Sequence, residues 1–302
     1  MLRVYSAAEV HAALPWELLA RALHAAFVAG AEVPLRHAHA LSPTDTLLLM
    51  PAWNEHVIAV KLVTVMPAAA HTVRASVLVL DRASGLPLAL LDGEALTLRR
   101  TAATSALAAR HLARTDASTL LLVGTGRLAA WMARAHAALR PGLRSIAVWG
   151  RRIEAAQALA AQLADEGLPA RAANDLEAAC RAAHIVCCAT TSTEPLVHGG
   201  WLVSGTHLDL VGAFRRDMRE VDDAAVLRAH VVVDTYAGAL AEAGDLTQPL
   251  AAGLIQRGHI AADLAEVLRG ERPGRMDAAE LTLFKSVGTA LEDLAAAQLV
   301  VA

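Results

Sequence analysis

The sequence predicts an α/β chain with a doubly wound parallel sheet in its second part and a separate α+β domain in its first. Three observations carry that prediction. The 302 residues exceed the usual single-domain length of roughly 100–200 residues. Residues 57–91 read as consecutive strands joined by turns, and from residue 118 onward short apolar runs alternate with segments of helical period. A composition of 55% hydrophobic and 19% charged residues excludes a disordered chain, because that much apolar surface offsets the entropy of folding.

Val10, Leu14, Leu18, Leu19, Leu23 and Phe27 recur at helical spacing over residues 6–28, and Pro15 stands where a second helix can begin. Residues 57–65 and 75–80 are β-branched runs, and Asp81-Arg82-Ala83-Ser84-Gly85 carries the turn chemistry that leads into 86–91. These make an antiparallel meander, closed by Asp92-Gly93. Helical spacing resumes over 97–114 through Leu98, Ala102, Ser105, Ala109 and Leu112. Then 118–123 is an apolar strand, Gly124-Thr125-Gly126 a turn, 128–139 a helix and 145–149 the next strand: a βαβ unit. Residues 184–189, 205–210 and 230–234 are further strands, with helical periodicity over 154–163. A last helix is expected over 282–299, with Leu283, Val287, Leu291 and Leu294 in one stripe. The expected domains are 1–115 and 116–281, with 282–302 as a closing helical segment.

Charge and hydropathy exclude several partners. The net charge is −3 with no long basic run, so no nucleic acid partner is expected. No stretch of about 18 uncharged apolar residues is present, so no membrane association is expected. No secretory leader is visible, and the cytoplasm is the expected compartment. Cys180, Cys187 and Cys188 have no metal-ligand spacing and read as reduced core thiols. The 13 histidines offer no His-x-x-x-His pair with an adjacent Glu, so no metal site is expected. No nucleophile elbow occurs.

Chemistry begins at Leu121-Leu122-Val123-Gly124-Thr125-Gly126-Arg127-Leu128-Ala129, a G-x-G-x-x-A turn between a buried strand and a helix. Small residues there permit a tight turn and close approach of a pyrophosphate to a helix N-terminus, the Rossmann-type dinucleotide fingerprint. At the end of the second strand, where an acidic residue would accept a ribose 2′-hydroxyl, stands Trp149-Gly150-Arg151-Arg152. Arg can pair with a 2′-phosphate, which favours NADP(H) and leaves NAD(H) open; the competing reading is a pair of surface arginines capping a loop. Of the 27 basic residues only Lys61 and Lys285 are lysines. Lys61 lies in the most apolar strand of the first domain, where burial would shift its pKa and suit it to proton transfer. A lysine on the solvent face of an edge strand fits the spacing equally well. Arg36 and Arg100 are candidates to clamp a carboxylate.

Together these motifs resemble the ornithine cyclodeaminase/μ-crystallin family over nearly the whole chain. The matches run through Pro34-Leu35-Arg36, Leu49-Met50-Pro51-Ala52, Val60-Lys61-Leu62-Val63, Gly85-Leu86-Pro87, Leu91-Asp92-Gly93, Leu98-Arg99-Arg100-Thr101, the glycine turn, Gly205-Thr206-His207, Val211-Gly212-Ala213, Arg219-Glu220-Val221-Asp222, Gly244-Asp245-Leu246, Pro273-Gly274-Arg275 and Leu283-Phe284-Lys285-Ser286. The resemblance implies a homodimer, a first domain that binds substrate and forms the dimer interface, and a C-terminal helix returning to that domain. It implies that Arg36 and Arg100 hold the carboxylate of a small amino or imino acid, with Met50 beside them, and that Lys61 acts as the acid/base group. Gly124, Thr125, Gly126, Arg127 and Leu128 would line a pyrophosphate, Arg151 and Arg152 a 2′-phosphate, and Thr190 and Val211 the ribose and nicotinamide, with Ser76 and Ser286 as further cofactor contacts.

Departures from the family bear on the reaction. Cyclodeaminases of the family resemble one another in an Asp where this chain has Phe214, and a phenyl ring cannot hold and deprotonate a distal amine. Met218 replaces a family lysine, Leu128 a glutamine and Ala69 an asparagine. The expected activity is an NAD(P)H-dependent oxidoreductase at the C–N bond of a small amino or imino acid. Ornithine cyclodeamination and NADPH-dependent binding without catalysis are the alternatives that the family offers.

Overall fold

A computed structural model of the chain describes residues 2–70 and 72–302. The chain forms two compact units, Met1–Thr104 with Thr289–Ala302, and Ser105–Gly288. The sequence-based limits of 115/116 and 281/282 differ from these for two reasons. A helix runs unbroken through the first division, and the segment after 280 begins as a strand.

The first unit contains β1 (Arg3–Tyr5), α1 (Ala7–Ala13), α2 (Trp16–Ala29), β2 (His37–Ala40), β3 (Thr46–Trp53), β4 (Val57–Val65), β5 (Val73–Asp81), β6 (Pro87–Asp92) and the start of α3 (Gly93–Leu112). Ser6 and Glu9 form a capping box that starts α1, and Pro15 caps α2. The sheet order is β1-β6-β5-β4-β3-β2, antiparallel except where β1 joins β6 in parallel. Burial alternates along β4: Val57, Ala59, Lys61 and Val63 face inward while Ile58, Val60 and Leu62 are half-exposed. The three strands of this unit that the sequence did not announce, β1 to β3, are either very short or, in β3, interrupted by Pro51, which has no N–H for the ladder.

The second unit follows with β7 (Thr119–Val123), α4 (Arg127–Leu139), β8 (Ser145–Trp149), α5 (Ile153–Asp165), β9 (Ala170–Ala172), α6 (Leu176–Ala182), β10 (Ile185–Cys188), β11 (His207–Leu210), α7 (Asp223–Arg228), β12 (Ala229–Val233), α8 (Tyr236–Glu242), α9 (Gly244–Ala251), β13 (Ile260–Asp263), α10 (Leu264–Leu268) and β14 (Leu281–Lys285). Its eight strands, ordered β13-β12-β14-β11-β10-β7-β8-β9, are all parallel. The chain therefore contains the expected doubly wound parallel sheet and a separate α+β unit. From β7 the chain moves outward through β8 and β9, then returns to the other side of β7 as β10. That reversal makes a crevice at the C-terminal ends of β7 and β10.

One expected element is corrected. Residues 282–299 do not form a single helix: Leu281–Lys285 is β14, fully buried between β11 and β12, and α11 is Ala290–Val301. A short continuous apolar run fits a buried strand as well as a helix. Gly288, at φ +82°, and the Thr289 cap separate the two. α11 packs on α2 and on β3 and β4 in the first unit. No described helix is long and apolar enough to cross a membrane.

Candidate functional site

In the first unit the inward row of β4 places one ammonium among apolar neighbours. Lys61 is paired across the sheet with Met50 on β3 and Val77 on β5, and all three are buried. Its partner is on α11: Lys61 Nζ lies 2.6 Å from Asp293 Oδ2. Arg100, on α3, places Nε 3.0 Å from the other Asp293 oxygen and bonds Glu292 through Nη1. Two cations and two carboxylates, each 5% exposed or less, thus form a balanced quartet. Glu292 and Asp293 occupy the first turn of α11, where the helix dipole favours negative charge.

Burial pushes the Lys61 ammonium down from 10.5 to about 8, with Asp293 opposing and Arg100 adding to the fall. Burial also pushes Asp293 upward, but the Arg100 and Lys61 charges outweigh it and hold the carboxyl below its usual range. The quartet can therefore store or release a proton at Nζ near neutral pH. Arg36 is half-buried at the residue before β2, one step beyond the His37–Leu49 pair and hence at the chain level of Met50. Ser76 is opposite Leu62 on β5, so it faces the side of the sheet away from Lys61.

In the second unit Gly124 takes φ +122°, and a Cβ there would stand 2.6 Å from the Ala189 carbonyl oxygen. Only glycine fits between the β7 and β10 ends. Gly126 caps α4 with no side chain bonding the helix N–H groups, and a Cβ on it would meet nothing within 4 Å. Thr125 packs on Gly150, where a Cβ would come to 2.7 Å from the Thr125 methyl. The turn thus presents an open cradle at a helix N-terminus with no side-chain cap and no acidic first turn, which fits a pyrophosphate. Arg127 is exposed at the start of α4 and Leu128 is half-buried beside it; Arg151 and Arg152 are exposed at the end of β8.

Thr190, Val211 and Ser286 stand just beyond β10, β11 and β14, at the same edge of the sheet. Their polar groups are largely committed to protein. Thr190 donates its hydroxyl to Glu220, the Val211 N–H goes to the Cys188 carbonyl, and Ser286 donates to Asp234. Phe214, in the segment after β11, is 43% exposed.

Several buried acids received no role from the sequence: Glu220 and Asp245, which appear there only within matching motifs, and Asp234, Glu292 and Asp293. A signal existed for the last two, because 290–301 holds no other charge among Ala, Leu and Val. Both lysines of the chain are buried cations. Lys285, on β14, has Nζ 3.0 Å from Asp245 Oδ2 and 3.9 Å from Glu220 Oε2. Among the described residues His136, Cys187 and Asp209 bring metal-capable atoms within 4.8 Å of one another. His136 Nε2 and Asp209 Oδ2 already bond each other at 2.9 Å, and burial raises the Cys187 thiol well above its ordinary value.

Comparison with known proteins gives this architecture its relatives. A sequence model of the ornithine cyclodeaminase/mu-crystallin family matches residues 2–302. The chain is 36% identical over 312 aligned residues to a Delta(1)-pyrroline-2-carboxylate reductase of Colwellia psychrerythraea, covering 99% of this chain and 98% of that one. Among solved structures it is similar to the Thermococcus litoralis Delta(1)-pyrroline-2-carboxylate reductase in complex with NADH and L-proline, with a TM-score of 0.93 and 33% identity, covering 100% of this chain and 96% of that chain. It is also similar to an archaeal alanine dehydrogenase dimer with bound NAD, with a TM-score of 0.93 and 26% identity, covering 99% and 95%. The chain belongs to the ornithine cyclodeaminase/mu-crystallin family.

Proposed function

We propose that this protein is a nicotinamide-dependent imine reductase acting on a small cyclic imino acid of the Delta(1)-pyrroline-2-carboxylate kind. The observation that carries the reading is the buried quartet, in which Lys61 Nζ lies 2.6 Å from Asp293 and Arg100 meets both Glu292 and Asp293. Reduction of a C=N bond consumes one hydride at carbon and one proton at nitrogen. The nicotinamide supplies the hydride when bound. Lys61 Nζ holds the proton, while Arg100 and Arg36 supply the positive charge that orients the carboxylate. Asp293 keeps Lys61 charged against its burial, and Glu292 retains Arg100. Gly124, Gly126 and the α4 N-terminus would hold the pyrophosphate of a bound nucleotide.

Arg151 and Arg152 support a preference for NADPH, because nothing acidic stands in Trp149-Gly150-Arg151-Arg152 to reject a 2′-phosphate. The exposed phenyl of Phe214 supports reduction over ornithine cyclodeamination, since it offers no base to a distal amine. A homodimer is supported by the outer face of the first sheet: Leu49, Val60, Leu62, Leu78 and Leu90 are apolar yet half-exposed. The test is turnover: purified protein with Delta(1)-pyrroline-2-carboxylate should consume NADPH faster than NADH and form proline. Ammonia release from ornithine with no imine reduction would overturn the assignment.

A further inference from the structure

Glu220 lies between two loops at the C-terminal edge of the parallel sheet and is fully buried. Oε1 accepts the Thr190 N–H at 2.8 Å and the Thr190 hydroxyl at 2.9 Å. Oε2 accepts the Gly212 N–H at 2.7 Å and the Ala213 N–H at 3.3 Å. One carboxylate therefore joins the loop after β10 to the loop after β11 through four donors, and each oxygen serves one loop. The fit is close: a Cβ on Gly212 would come to 2.2 Å from Oε1 and 2.1 Å from the Thr190 carbonyl oxygen.

The carboxylate is itself held from behind. Asp245 Oδ1 accepts the Glu220 N–H at 2.7 Å and the Val221 N–H at 3.2 Å, and the Glu220 carbonyl accepts from Leu196 and Val197. Lys285 supplies the counter-charge from β14. Burial raises the Glu220 pKa and Lys285 opposes that rise, so the ammonium favours the ionised acceptor that four donors require. A surface-loop brace would need none of this insulation and countercharge.

We propose that Glu220 is a positioning residue for the nicotinamide nucleotide, a clamp that fixes the spacing of the 190 and 212–213 loops beside the crevice between β7 and β10. This rests on the cofactor reading above and deepens it. All four partners of the carboxylate are donors, so Glu220→Gln is a near-isosteric test. Whichever way the amide turns, its NH2 faces the donors of one loop, and that loop loses its acceptor. Lys61 and the quartet, in the other unit, are untouched.

The experiment titrates NADH and NADPH into the full chain, read by nicotinamide fluorescence, and follows with steady-state kinetics and thermal melts. Glu220→Gln should raise Kd for both nucleotides about tenfold or more, since one loop loses its charged acceptor. At saturating cofactor, kcat and the KM for the imino acid should stay within about threefold of wild type. Unchanged Kd with only a lowered Tm would make Glu220 a structural brace and overturn the proposal. Wild-type protein that binds neither nucleotide would instead sink the cofactor reading, and this inference with it. If Glu220→Gln does not fold, Thr190→Val carries the test: it removes the hydroxyl that donates to Glu220 and accepts the Ser192 N–H, and leaves the Thr190, Gly212 and Ala213 N–H bonds to the carboxylate. It should weaken binding about threefold while Thr190→Ser, which keeps the hydroxyl, stays near wild type. Equal affinities for these two variants would likewise overturn the proposal.

Discussion

Asp293→Asn tests the proposed proton-transfer role of Lys61 without altering Lys61 itself. In the wild type the ammonium titrates at about 8, so its charged form outweighs the neutral form about tenfold at pH 7 and is outweighed about tenfold at pH 9. If Nζ supplies the proton, imine reduction should fall about tenfold across that interval, and oxidation of the cyclic amino acid should rise through it. Asp293 Oδ2, 2.6 Å away, opposes the fall that burial imposes. An opposite charge at that range is worth roughly 1–3 pKa units, and Arg100 remains to repel the ammonium. Asp293→Asn should therefore move the basic limb of the reduction profile acidward by about 1–3 units. Reduction at pH 7 should drop and oxidation at pH 7 should rise. Breaking the buried pair should also cost about 3–5 kcal/mol of stability, so melts must accompany the rates. The assay is initial-rate absorbance of the nicotinamide in both directions from pH 5 to 10. A limb that stays near pH 8 in a folded Asp293→Asn protein would refute Lys61 as the titrating acid.

Lys61→Arg should keep the charge facing Asp293 yet lose reduction by about a hundredfold or more, because a guanidinium does not release its proton in this range; full activity by the same absorbance assay would exclude proton transfer at Nζ. Replacing Arg151 and Arg152 together with Ala should raise the KM for NADPH about tenfold or more and leave that for NADH within about twofold; steady-state kinetics with each cofactor decides it. Leu62→Asp should convert the proposed dimer to monomer, measured by sedimentation, since it puts a charge in the centre of the apolar outer face. A dimer that persists would place the interface elsewhere.

Where an element announces itself by local pattern, the sequence sufficed. The β7 strand, glycine turn and α4 are all local, as are the alternating rows of β4 and β5, and the structure has them where the pattern places them. β14 was misread because Leu281 to Lys285 is buried on both faces in the middle of the sheet, and continuous burial erases the alternation that distinguishes strand from helix. The site divides along the same line. Lys61 stood out because a cation in an apolar strand conflicts with its surroundings, and Gly124 because a tight turn needs it. Glu292, Asp293, Glu220 and Asp234 did not stand out, since an acid in a helix or loop reads as solvated. Their partners come from elements distant in sequence: Arg100 with Glu292, Thr190 with Glu220, Ser286 with Asp234.

The two lysines show why residue type at these positions carries information that composition hides. In a chain with only 2 lysines among its 27 basic residues, each occupies a fully enclosed site against carboxylate oxygen: Lys61 against Asp293, Lys285 against Asp245 and Glu220. A guanidinium is broad, planar and permanently charged, whereas an ammonium is compact and can give up its proton. At β14, between two parallel strands, compactness is the property that the packing uses, and Lys285 serves as countercharge to two acids that organise backbone N–H groups. At β4 the fall to about 8 makes exchangeability the useful property. One requirement for small size and one for a labile proton thus converge on the same side chain. The matching acids, not the lysines alone, distinguish the two sites: Asp293 is shared between Lys61 and Arg100, whereas Glu220 is occupied by loop donors.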